Sequence, residues 1–190
     1  MKNIVHVGAA REQARNRKFN YFYFEPREDD GWIIDTEQDN ITVFPFALSN
    51  YNGTAQLNVT KKPTVSSFYE PNMELIKKCQ PKNGDRYNVI DNIDVEVKRM
   101  DSIFDNDFQI HKLVLDTQGS ELNILKGAGD LLNNVETIEC EVEFVEVYKN
   151  QPLYEDVNKY LKKYGFKLSH FRTLIKWSGY LIFADAIYKR

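Results

Sequence analysis

Apolar positions along the chain fall into short β-branched or aromatic runs, separated by polar stretches and, in a few places, by segments with helical spacing. Asn3-Ile4-Val5-His6-Val7 has strand character and stops at Gly8. Ala9 to Arg17 is rich in Ala, Arg, Glu and Gln and suits a short helix. Tyr21-Phe22-Tyr23-Phe24 follows as a second strand, halted at Glu25-Pro26. Proline lacks the amide a ladder needs and biases its predecessor towards extended geometry. The opening therefore reads strand, turn, helix, strand, the seed of a parallel sheet.

Ile41-Thr42-Val43-Phe44 predicts a third strand leading to Phe46-Ala47-Leu48-Ser49, with turn chemistry from Asn50 to Gly53. Ala55 to Val59 and Val95 to Lys98 predict two further strands. Between these two, residues 61–94 have little periodicity, and a connection of that length is expected to act as a lid or a binding loop. Lys112-Leu113-Val114-Leu115 is the near-continuous apolar run of a strand buried on both faces, and it ends at Asp116-Thr117-Gln118-Gly119. A helix is expected from about Gly119 with Leu122, Leu125, Leu131 and Leu132 on or near one face, then a strand over Thr137 to Phe144. Val157, Tyr160, Leu161 and Tyr164 fall at helical spacing within Tyr154 to Tyr164, and Gly165 suits the stop. Phe166 to Phe171 and Tyr180 to Tyr188 have no helix between them and should pair antiparallel. The pattern is one α/β domain over residues 1–190, mostly parallel, closing with an antiparallel strand.

Composition narrows the partners. The 25 basic residues are outnumbered by 28 acidic ones, for a formal charge of −3. The basic doublets, Lys61-Lys62, Lys77-Lys78, Lys98-Arg99 and Lys162-Lys163, are scattered, whereas phosphate-backbone binding depends on clustered cations. Nucleic acid is therefore not an expected partner. Two cysteines, Cys79 and Cys140, and three histidines make neither a disulfide framework nor a zinc site, so no metal is expected. No apolar stretch approaches the ~18 residues of a membrane span, so the expectation is a soluble cytoplasmic protein with no membrane partner.

Ligands of an open parallel sheet bind beyond the carboxyl ends of its strands, close to the point where strand order reverses. Gly8, Glu25, Ala47, Asp116 and the Glu139 to Glu143 segment end strands and are the candidates. Gly8 would let a nucleoside approach the backbone, or it serves turn geometry alone. Glu25 follows at close to the ~20-residue spacing at which nucleotide-binding folds place a ribose-binding acid. Asp116 is either a helix N-cap or a site carboxylate. In Glu139-Cys140-Glu141-Val142-Glu143, alternation puts three carboxylates on one face, which calls for basic partners in a wet cleft at the sheet's edge or for a solvated edge strand.

The segment Lys112-Leu113-Val114-Leu115-Asp116-Thr117-Gln118-Gly119-Ser120-Glu121-Leu122-Asn123-Ile124-Leu125-Lys126-Gly127-Ala128 resembles the central motif of FkbM-type methyltransferases. Glu141-Val142-Glu143-Phe144 with Tyr148 to Pro152, and the Gly165 to Leu168 and Asp185 to Tyr188 stretches, resemble the family's later landmarks. Phe24-Glu25-Pro26, Ala47-Leu48-Ser49 with Gly53, and Ser66-Ser67 resemble its earlier ones, in order. The resemblance implies a class I methyltransferase, Rossmann-like fold with a seven-stranded sheet and helices on both faces. It implies S-adenosylmethionine as cofactor and O-methylation of a hydroxyl on a sugar or small metabolite, hence a small-molecule or glycan acceptor. By position, His6, Gly8 and Ala9 would lie at the methionine end and Glu25 at the ribose. Ala47 and Leu48 would flank the adenine, with Asp116 beside the methyl donor. Asp116 or Glu141 would be the general base, and Gln118 and Glu143 would contact the acceptor. The first motif departs from the family: His6-Val7-Gly8-Ala9-Ala10-Arg11-Glu12 has histidine where an acid is usual and lacks the second glycine. That departure keeps open a non-catalytic binding or scaffolding module on the same fold, with His6 as a neutral residue satisfied within the sheet. A nicotinamide-dependent oxidoreductase would need pyrophosphate-binding glycines that this loop lacks.

Overall fold

The computed structural model describes residues 1–8, 16–27 and 38–190. The helix expected over Ala9 to Arg17 falls almost wholly outside them. The described elements are β1 (Lys2–Val7), β2 (Phe19–Phe24), β3 (Ile41–Phe44), β4 (Ala47–Leu48), β5 (Gly53–Thr60), α1 (Met73–Cys79) and β6 (Val89–Lys98). There follow β7 (Ile110–Leu115), α2 (Glu121–Ala128), β8 (Val135–Glu143), α3 (Tyr154–Lys162), β9 (Lys167–Trp177) and β10 (Tyr180–Lys189).

Seven strands form one sheet in the order β3-β2-β1-β7-β8-β10-β9. β1, β2, β3, β7 and β8 run parallel, and β10 lies antiparallel between β8 and β9. The expected α/β class and reversed final strand are both present. Val5, Val7, Leu113, Leu115, Ile138 and Cys140 alternate onto one face of this sheet. There they meet Ile124, Leu125 and Ala128 of α2 and Val157 and Leu161 of α3 in the main core. The opposite face of β7 is only half-buried at Lys112 and Val114, so that strand is not closed on both sides as its apolar run suggested.

Three local expectations change. The third strand does not run on into Ala47: the chain leaves the large sheet at Pro45, which has no amide to pair, and β4 joins a second sheet of order β4-β6-β5. The helix after β7 ends at Ala128, because Gly129 turns to φ 51° and carries Leu131 and Leu132 into a 3-10 stretch. β8 is an interior strand between β7 and β10, which excludes both the sheet-edge cleft and the solvated edge strand expected for its three glutamates.

Residues 61–94 are structured. They carry a 3-10 turn at Pro63–Val65, then α1, a second 3-10 turn at Gly84–Tyr87 and the first half of β6. Val65, Ile76, Cys79 and Tyr87 pack with Tyr148, Trp177 and Ile182 in a second cluster, which fixes this segment over the carboxyl end of the large sheet. Among the described residues no helix is long and apolar enough to cross a membrane.

α2 meets β4 through a glycine. A Cβ at Gly127 would overlap the carbonyl oxygen of Ser49, so helix and strand touch backbone to backbone. In an open helix Gly→Ala gains about 1 kcal/mol, but overpacking a core costs about 1–3 kcal/mol. Gly127→Ala is therefore expected to lower the melting temperature by several degrees, checked by calorimetry against wild type.

Candidate functional site

Sheet order reverses between β1 and β7, and the chain leaves both strands there. Gly8 N–H donates to the Phe24 carbonyl (3.0 Å), and Asp116 N–H donates to the Val7 carbonyl (3.1 Å). Gly8 has φ 77°, and a Cβ on it would overlap the Asp116 carbonyl oxygen, so the glycine is required by the closeness of the two strand ends. A cavity of about 270 Å³ opens beyond this junction, lined by Gly8, Glu25, Leu48, Asp116 and Gln118 among others. His6 and Ala47 also reach it. The structure thus brings seven of the expected site residues to one cavity. Ala9 lies outside the described residues.

Glu25 is buried at the end of β2 and points its carboxyl at the cavity wall, where Oε1 accepts from Arg27 N–H (3.2 Å). Burial pushes its pKa up to about 7, against the opposing pull of the Arg27 amide and guanidinium. His6 behaves in the opposite sense. Burial, assisted by the positive charge of Lys112, lowers it to about 4, so it is neutral at physiological pH.

Asp116 is not a helix cap. α2 begins five residues later, with Ser120 in the N-cap position, and Asp116 stays exposed at the cavity. Glu121 instead ties the connection together, its Oε1 accepting from Thr117 N–H (2.7 Å) and Thr117 Oγ (2.9 Å). Gln118 adopts φ 57° and works as a hub. Its Nε2 donates to Asp116 Oδ1 (3.1 Å) and to Glu141 Oε1 (2.8 Å), and the Tyr148 hydroxyl lies 3.0 Å from its Oε1.

The three acids of β8 have three different surroundings. Glu139 is paired with Lys112 and Arg172 at 2.6 Å each, so the basic partners expected from the sequence exist for this residue. Glu141 borders an adjoining cleft that shares His6 and Asp116 with the first cavity. Burial, then the neighbouring Asp116 and Glu143, raise its pKa well above its ordinary value, which disfavours the ionised form. Glu143 lies deeper and does not line the cavity, and burial with Glu121 beside it raises it likewise.

Residues 63–68, part of the segment expected to act as a lid or a binding loop, form the roof of the cavity. Arg27 Nη1 donates to Ser66 Oγ (3.3 Å), and Ser67 Oγ donates to the Gln118 carbonyl (2.6 Å). The roof is thus bonded to the loops after β2 and β7. Ser66-Ser67 was a visible landmark, but nothing local told that both hydroxyls reach across the cavity. The buried Glu121 and the cavity-lining Arg27 were likewise missed.

The family model described as the Methyltransferase FkbM domain matches residues 6–168. The chain is similar in structure to the methyltransferase FkbM of Methylobacillus flagellatus KT, with a TM-score of 0.55 at 15% sequence identity. That alignment covers 100% of this chain and 43% of the other, and at this identity it establishes the shared fold. No curated protein sequence matches the chain.

The charge states set a pH dependence. Glu25 and Glu121 are raised to about 7 from an unfolded value of 4.5, and Glu141 and Glu143 are raised well above the same value. Above pH 4.5 the native chain therefore holds more protons than the unfolded one, and stability falls as pH rises. His6 works the other way between about 4 and 6.5, one group against four. The melting temperature is expected to be lower at pH 8 than at pH 5.5. Glu143→Gln should flatten that slope and raise the pH 8 value, and an unchanged slope would remove the buried acids as its cause.

Proposed function

Since the chain belongs to the methyltransferase FkbM domain family, we propose that it uses S-adenosylmethionine to methylate a hydroxyl of a sugar or small metabolite. The observation that carries the proposal is the meeting of Glu25 and Asp116, from the ends of two strands on either side of β1, in one cavity at the point of sheet reversal. The donor set suits an adenosyl ligand. A buried carboxyl at the end of β2 can accept from a ribose diol, and Leu48, Phe68 and Ile124 offer apolar contact to a flat ring. Bound there, the cofactor would supply a methyl group on a sulfonium, an electrophile needing no further activation.

The chain's own residues would then position the acceptor and take its proton. Alignment of the acceptor oxygen at near-attack distance supplies much of the rate in such a displacement. A hydroxyl must also lose its proton, which a carboxylate within hydrogen-bond reach can receive. Asp116 is the better candidate for base, since it is exposed at the cavity, whereas Glu141 is buried and its ionised form is disfavoured. Gln118, donating to both, keeps the two carboxyl groups in fixed relation. The acceptor would enter on the side of Gln118 and Glu141, where the adjoining cleft of about 410 Å³ meets the cavity.

Calorimetric titration with S-adenosylmethionine and S-adenosylhomocysteine tests the cofactor. Wild type should bind both, and Glu25→Ala should lose at least about tenfold in affinity, the scale of one or two charge-assisted hydrogen bonds. Because Glu25 titrates near 7, affinity should weaken between pH 8 and pH 6, and Glu25→Gln should abolish that dependence. Absence of heat with either ligand would leave the fold as a binding module. Asp116→Asn should abolish transfer of labelled methyl to hydroxyl acceptors while leaving cofactor affinity nearly intact. Retained transfer would move the base to Glu141.

A further inference from the structure

Ser120 is a buried hydroxyl without a partner. It occupies the N-cap position of α2 and is 2% exposed. Serine is among the residues that best satisfy the free amides of a helix's first turn, yet its side chain makes no capping bond. Its Oγ is shut off from solvent with no hydrogen-bond partner among the described residues, and Ser120 is one of the residues that line the cavity. A hydroxyl removed from water and left unbonded is unfavourable, and structures rarely keep one without a reason.

We infer that the Ser120 hydroxyl donates a hydrogen bond to the purine ring of an adenosyl ligand in this cavity, which rests on the cofactor reading above. Two features of the surroundings select that part of the ligand. Ile124 lies one turn further along α2 on the same face and lines the same cavity, so the wall around the hydroxyl is apolar and suits a flat ring. Leu48 and Phe68 bound the cavity as well. The ribose diol has its own acceptor in Glu25. A heteroaromatic ring nitrogen, buried between apolar side chains, needs one directional donor, and Ser120 is placed to be it.

Folding and binding are then separable, because the hydroxyl holds no partner among the described residues of the free protein. Ser120→Ala should leave the melting temperature of the ligand-free protein unchanged or slightly higher. In titrations with adenosine and with S-adenosylhomocysteine, it should weaken both by about five- to tenfold, the effect of one neutral hydrogen bond. Equal affinity of variant and wild type would overturn the inference while leaving the cofactor reading intact. Weakening with S-adenosylhomocysteine but not with adenosine would also overturn it, by directing the hydroxyl to the amino-acid end. So would a clear drop in the ligand-free melting temperature, which would reveal a partner within the protein. If wild type binds neither probe, the adenosyl site itself fails, and that result is distinct from the others.

Discussion

The close approach of β1 and β7 at their carboxyl ends governs the rest of the site. Gly8 sits against the Asp116 carbonyl with no room for a side chain, and Asp116 N–H closes the contact onto Val7. From that junction the chain departs on both sides, towards Glu25 through β2 and towards Gln118 and α2 through β7. The cavity is the space that these departures leave, as expected where an open parallel sheet changes direction. Moving either strand end would shift Asp116 relative to Glu25, so the geometry of the candidate site depends on a backbone contact.

A second constraint is the handling of buried acid. Glu121, Glu141 and Glu143 stand close together behind the cavity and, among the described residues, have no cation such as Glu139 has in Lys112 and Arg172. Burial and mutual repulsion raise all three above their ordinary value, which favours the protonated form. Amide and hydroxyl donors take over the role of counter-charges: Gln118 on Glu141, and Thr117 on Glu121. The main-chain carbonyl of the same Gln118 holds the roof through Ser67 and its side chain meets Tyr148, so the position of residues 63–68 and the arrangement of the acids are coupled through one residue.

Much of this was legible in the sequence, and the remainder was not for definite reasons. Strands ended by Gly8, Pro26 and Asp116 could be read locally, because apolar runs and their punctuation are local properties. Glu25 and Asp116 were legible as candidates from their places after such runs, and both line the cavity. The alternation of Glu139, Glu141 and Glu143 was also visible, but their interior position was not. Sheet order brings β10 beside β8, and Arg172 comes from a strand further still. The structure of residues 61–94 escaped for the same cause. It is fixed by Tyr148, Trp177 and Ile182, which are distant in the chain. Ser120 stood in the quoted motif with no role assigned, because its place at the cavity depends on tertiary packing. Residue type predicted where chemistry could be; long-range contact decided what each group faces.

The central claim is that the cavity at the β1–β7 junction holds an adenosyl ligand between Glu25 and Asp116. A crystal structure of the protein grown with S-adenosylhomocysteine tests it most directly. The expected result is ligand density in this cavity, with the ribose hydroxyls on the Glu25 carboxyl and the sulfur facing Asp116. Density confined to another surface, or a ribose placed away from Glu25, would contradict it.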